Sequence, residues 1–202
     1  MSRRPFSILG AAGFLAVTVS AVYLLMAPSS LRHQITPKAS EGGQFQPVGT
    51  SERPIKTGPR EGELAPNFSA PRFSGGTLSL MDLRGKGVVM NFFAAWCTPC
   101  RLEAHDLEAT YRKYQARGIV FLGVDIQQDD WDDAHDFLEK FGITYPVVRD
   151  VNGEIAQKFQ LVGLPTTYFV DKNGVVRARF VGAFLGSGSQ GELEHRIKMI
   201  SP

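Results

Sequence analysis

The stretch NFFAAWCTPCRLEAH, Asn91 to His105, holds both cysteines of the 202-residue chain, Cys97 and Cys100. A pair at this spacing can supply half of a metal site, close a small structural loop, or cycle between dithiol and disulfide. Just upstream, VVMNFF (Val88 to Phe93) is an apolar run of strand length, as expected for a strand buried on both faces. Downstream, TPCRLEAHDLEATYRKYQARG reads as a helix with Leu102, Leu107, Tyr111 and Tyr114 as its apolar stripe and Gly118 at its end. Cys97 therefore falls where strand gives way to helix. A thiol there meets unpaired backbone N–H groups and the positive end of the helix dipole. Both favour thiolate, which makes Cys97 the nucleophile. Cys100, one turn further in and more buried, is placed to resolve a mixed disulfide made by Cys97. Pro99 suits the first turn of a helix.

The two other uses of the pair find little support. Zinc needs further ligands, and His105, His135 and His195 are scattered, with no second cysteine pair. A purely structural disulfide would close a tiny loop and stabilise little. Redox cycling is the reading that remains, and it implies no cofactor beyond the Cys97–Cys100 pair itself.

Around this stretch the chain alternates strands and helices. NFSAPRFSGGTLSL reads as a hairpin around Gly75 and Gly76. MDLRGKG is a turn or short helix. IVFLGVDI (Ile119 to Ile126) is a second buried strand. DDWDDAHDFLEKFG is a capped helix with Trp131, Ala134, Phe137, Leu138 and Phe141 inward. ITYPVV is a short extended piece and GEIAQKFQL a short helix. TTYFV and VVRARFV are strands joined by the turn DKNG, and QGELEHRIKMI is a closing amphipathic helix. This order predicts an α/β domain over residues 61–202, with a central mixed sheet flanked by helices.

Residues 5–27, PFSILGAAGFLAVTVSAVYLLMA, carry no charge. As a helix they would run roughly 35 Å, enough to cross a bilayer core of about 30 Å. The run is longer than the core of a cleaved signal peptide, so a transmembrane anchor is expected. Arg3 and Arg4 leave the tail, residues 1–4, on the cytoplasmic side and the domain outside it. Residues 28–60 are rich in Pro, Gly, Ser and Thr and read as a flexible linker. A net charge of +2, with basic residues dispersed, gives no case for nucleic acid.

The segments APNF, LSLMDLRGKGVVMNFFAAWCTPCRLE, GVDI, YPVVRD and GLPTTYFVDKNG, in this order, resemble the thioredoxin superfamily. More narrowly they resemble its membrane-anchored, extracytoplasmic thiol-disulfide oxidoreductases of the TlpA/ResA type. The resemblance implies a thioredoxin-like fold with an N-terminal hairpin extension and a central helical insertion. It implies that Pro165 is a cis-proline lying against the cysteine pair. Leu164 would then offer its backbone to a partner's extended chain. Glu103 matches a family glutamate that could exchange protons with the thiols; the alternative is a solvated surface residue. Asn91 stands where thioredoxin has a buried acid. Phe93 replaces a family tryptophan, and His105 replaces a family proline. His105 is either a surface residue or a stabiliser of a nearby thiolate or carboxylate. Trp96 should form part of the apolar surface beside Cys97.

The function so implied is a disulfide reductase in the cell envelope. Its substrates would be exported cysteine-containing proteins such as apocytochrome c, as in cytochrome c maturation. Its electrons would come from a membrane thiol carrier. A disulfide-forming oxidase on the same scaffold is the alternative, since direction depends on reduction potential. A Sco-like copper chaperone would use CxxxC, and a thiol peroxidase usually Thr-x-x-Cys; here Ala94 lies three before Cys97.

Overall fold

The computed structural model describes residues 54–126 and 128–201. The expected anchor, residues 5–27, lies outside them, and so does most of the linker. Among the described residues no helix is long and apolar enough to cross a membrane. Backbone pairing reaches back to Lys56, whose carbonyl accepts the Leu64 N–H at 2.8 Å, so the tail of the expected linker joins the domain.

The hairpin forms as its glycines require. Strands β1 (Ser69–Pro71) and β2 (Thr77–Ser79) pair antiparallel. Gly75 and Gly76 turn between them with φ of 89° and 73°, a region other residues enter at a cost. Strand β3 (Gly87–Phe93) is buried at every position, and helix α1 (Thr98–Tyr114) follows it. Next come β4 (Ile119–Asp125), α2 (Trp131–Lys140), β5 (Val147–Arg149), α3 (Glu154–Lys158), β6 (Thr166–Val170), β7 (Val176–Val181) and α4 (Gly186–Ile200). Helix α4 begins before the expected Gln190, taking in Gly186 to Ser189.

Five strands form one mixed sheet in the order β5-β4-β3-β6-β7. β3 runs parallel to β4 and antiparallel to β6, so it is the centre of the sheet. Its side chains alternate between faces. Phe92 packs on Phe159 and Tyr168, with centroids at 5.5 and 5.9 Å. Asn91 and Phe93 point the other way, toward Glu103 of α1 and Phe137 of α2.

Both edges of this sheet meet residues from the N-terminal side. Arg72, just past β1, bridges to Val148 of β5. At the far edge, Val176 of β7 donates to the Glu63 carbonyl at 2.9 Å and accepts from Gly62 at 2.8 Å.

Two residues expected to face inward do not. Leu102 is 60% exposed, because Glu103 and Ala104 take the inward positions of that turn. Trp131 is 45% exposed and stacks on Phe73 at 4.4 Å, with the Arg149 guanidinium 5.5 Å from its ring. It clamps the hairpin to α2 rather than filling the core.

Candidate active site

The chain leaves β3 at Phe93 and reaches α1 through Ala94, Ala95 and Trp96. Cys97 is the N-cap of α1, with extended backbone (φ −76°, ψ 106°). Its Sγ accepts the Cys100 N–H at 3.2 Å, the part usually played by a serine or aspartate oxygen. A thiolate at this position gains that donor and the helix dipole together. Pro99 lies in the first turn, where a missing N–H costs nothing.

Cys97 and Cys100 are joined as a disulfide. Both residues are buried, 4% and 2% exposed, so the ordering expected from the sequence holds only by a narrow margin. Cys97 opens onto a groove of about 460 Å³ lined also by Trp96, Pro99, Ile126, Leu161, Gly163 and Leu164. Trp96 is 60% exposed and forms an apolar rim beside Cys97. The Leu164–Pro165 peptide bond is cis. The Pro165 carbonyl accepts from Gly182 at 2.9 Å, while Leu164, among the described residues, takes no main-chain partner.

Glu103 lies one turn past Cys100 on the buried side of α1 and is 1% exposed, so it is not a solvated surface residue. Its Oε1 accepts from Asn91 Nδ2 and its Oε2 from the Phe184 N–H, both at 2.9 Å. Asn91 also donates to Thr167 Oγ1 at 3.0 Å, which links the carboxyl to β6. Burial pushes the Glu103 pKa up to about 7, and the two neutral donors pull it back only in part. A carboxyl poised there can take or return a proton near neutral pH.

His105 is exposed on α1 and meets the edge of Phe141 at 5.1 Å. It makes no hydrogen bond or ion pair among the described residues, as the surface reading of it would have it.

Thr167 and Phe184 are members of this network that sequence reading passed over. Thr167 sits inside the quoted GLPTTYF motif, so a signal for it existed. Phe184 contributes only its N–H, which any residue but proline would supply.

The profile of the AhpC/TSA family matches residues 62–179. The thiol-disulfide oxidoreductase ResA of Bacillus thuringiensis subsp. konkukian is 32% identical over 141 residues, which is 70% of this chain and 79% of that protein. ResA of Bacillus subtilis is 29% identical over 142 residues, covering 70% and 76%. A solved structure from Chlorobium tepidum, described as a thiol:disulfide interchange protein DsbE, matches with a TM-score of 0.65 at 29% identity. It covers 70% of this chain and 97% of its own.

Proposed function

The chain belongs to the AhpC/TSA family and is a thioredoxin-like thiol-disulfide oxidoreductase of the ResA and DsbE type; on that premise we propose that it reduces disulfides of exported proteins outside the cytoplasm. Residues 5–27 would hold it to the membrane, a membrane thiol carrier would recharge it, and the paired cysteines of apocytochrome c fit as substrate.

The observation that supports the exchange chemistry best is the placement of Glu103. A dithiol that gives up electrons must lose the Cys100 proton midway, and Glu103 is a buried acceptor for it with its pKa raised to about 7. The Cys97 thiolate attacks one sulfur of the target disulfide. A mixed disulfide forms, and the target's other sulfur leaves as a thiolate. Cys100 passes its proton to Glu103 and attacks Cys97 Sγ. The second target thiolate departs, and the Cys97–Cys100 disulfide closes. Two electrons have moved to the target, and its thiolates take up protons. The carrier restores the dithiol by the same exchange in reverse.

Rapid acid quench of cells making the full chain tests the proposal. Cys97 and Cys100 should be trapped largely reduced, and oxidised once the membrane carrier is removed. A pair found oxidised in wild-type cells, in a protein that forms disulfides in a reduced test substrate, would establish the oxidase instead.

A further inference from the structure

Beneath the loop that leads into Cys97 lies a pair of acids with no part in the exchange steps above. Asp125 ends β4, opposite Phe93 in the register, and is fully buried. As a carboxylate it has no hydrogen-bond donor at either oxygen. Arg149 Nη1 stands 3.4 Å from Oδ2 but outside hydrogen-bond geometry. A buried carboxylate so placed carries most of its desolvation cost and keeps its proton instead. Protonated, Asp125 has an O–H to donate, and Asp129 is the acceptor that faces it.

Asp129 is 5% exposed and reaches the active-site loop directly. Its Oδ2 accepts the Ala95 N–H. Its main-chain carbonyl accepts from Arg149 Nη2. The Ala95 carbonyl in turn accepts from Arg101 Nη1 at 2.9 Å. Ala95 is thus gripped from both sides, two residues before Cys97. The carbonyl of Ala94, next to it, accepts the Cys97 N–H at 3.1 Å.

We propose that Asp129 is a positioning residue for the exchange reaction, holding the Ala95 amide so that Cys97 is presented at the start of α1, and that the proton on Asp125 controls this hold. With the proton in place, Asp125, Asp129 and Ala95 form one continuous chain of hydrogen bonds. When it leaves, two carboxylates confront each other. Arg149 is the cation beside them, Asp150 at the end of β5 adds to the repulsion, and Arg101 acts from α1 through the Ala95 carbonyl. Asp129 then turns from Asp125, and the Ala95 amide loses its acceptor. Burial first, then the Asp129 hydrogen bond and charge, raises the Asp125 pKa to about 8, so the hold is firm below that pH and relaxes above it. The device serves exchange in either direction and does not depend on the reductant reading.

The test uses the full chain, isotope-labelled in detergent and oxidised, so that no thiol titrates. The Ala95 amide proton should resonate downfield at pH 6.5 and move upfield with a midpoint near 8. In Asp125→Asn, whose amide donates to Asp129 at every pH, this step should vanish; in Glu103→Gln it should persist. In the reduced protein, Asp129→Ala should slow exchange with a small aromatic disulfide about tenfold, the worth of one hydrogen bond to a charged group. Asp129→Asn, which keeps an acceptor oxygen, should recover most of that rate. An Ala95 resonance that does not titrate, or that titrates alike in Asp125→Asn, overturns the proposal. So does exchange at the wild-type rate in Asp129→Ala, or no recovery in Asp129→Asn. Should Asp129→Ala fail to fold, the wild-type and Asp125→Asn titrations decide alone.

Discussion

Asn91 Nδ2 meets Glu103 Oε1 at 2.9 Å across the buried seam between β3 and α1. The contact is between a neutral amide and a carboxyl, with no cation to hold the charge. Desolvation therefore outweighs the hydrogen bonds, and the pKa rises to about 7 rather than falling.

The first consequence is for stability. The folded state binds the Glu103 proton more tightly than the unfolded chain does, where the ordinary value is 4.5. Its contribution is fully present below about pH 4.5 and is lost as pH rises through about 7. A shift of this size corresponds to a loss on the order of 3 kcal/mol. Asp125 acts with the same sign, from 3.8 to about 8, so wild type alone does not isolate Glu103. Urea melts of wild type and Glu103→Gln between pH 4.5 and 8 should diverge in the mutant's favour as pH rises. Parallel curves would remove Glu103 from the account.

Asn91→Asp replaces the donor by a second carboxyl facing Glu103. Like charges at a shared site push one pKa further up. Carbon-detected titration of the Glu103 carboxyl in the oxidised protein should show its midpoint well above about 7. A midpoint that stays put or falls would mean that the Asn91 contact does not govern it.

The helix N-terminus assigns different roles to the two sulfurs. In the reduced protein near neutral pH, iodoacetamide should label Cys97 first. Cys100→Ala should accumulate mixed disulfides through Cys97, and Cys97→Ala should accumulate few. Faster labelling of Cys100 would reverse the roles.

Trp96 is a surface group beside the groove, so its truncation should leave stability within about 0.5 kcal/mol. Exchange with a protein disulfide should slow about tenfold in Trp96→Ala, as the apolar rim that seats the partner is lost. Exchange with a small aliphatic disulfide, which needs no such seat, should change much less. Equal slowing toward both would place Trp96 in the chemistry rather than in recognition.

Phe159 is fully buried and touches Phe68, Phe92 and Tyr168 at once, with centroids 5.1 to 6.2 Å away. Phe159→Ala should cost about 3–5 kcal/mol in a denaturant melt. A cost under about 1 kcal/mol would show that the surrounding rings close the gap.

The elements around Cys97 were legible because their signals are local. β3 is a mostly apolar run, the 3-10 turn Gln115–Arg117 that follows α1 stops at Gly118 in the left-handed region (φ 75°), and the hairpin turns on Gly75 and Gly76. The errors arise where burial depends on a distant partner. Leu102 is apolar and lies on the outside of α1; Glu103 is an acid and lies inside, where Asn91 and Phe184 supply donors. A reading of apolar periodicity passes over an acid in the inward register. Trp131 is held at the surface by Phe73, far away in sequence. Asp129 and Asp130 are adjacent acids before a helix. Only the fold shows that Asp130 caps α2 while Asp129 turns inward to Ala95.

The contact of residues 62–72 with both sheet edges has a bearing on what happens when this segment is lost. An uncovered edge strand offers a row of unpaired N–H and C=O groups to any neighbouring chain. Here one short stretch of polypeptide meets both, pairing with the start of β7 at Glu63 and with β5 at Arg72. A chain clipped by proteolysis just ahead of β3 would keep the whole cysteine site and yet bare two sticky borders at opposite ends of the sheet. Head-to-tail growth into fibres, rather than closure into a dimer, is the form of association that such a pair of borders favours.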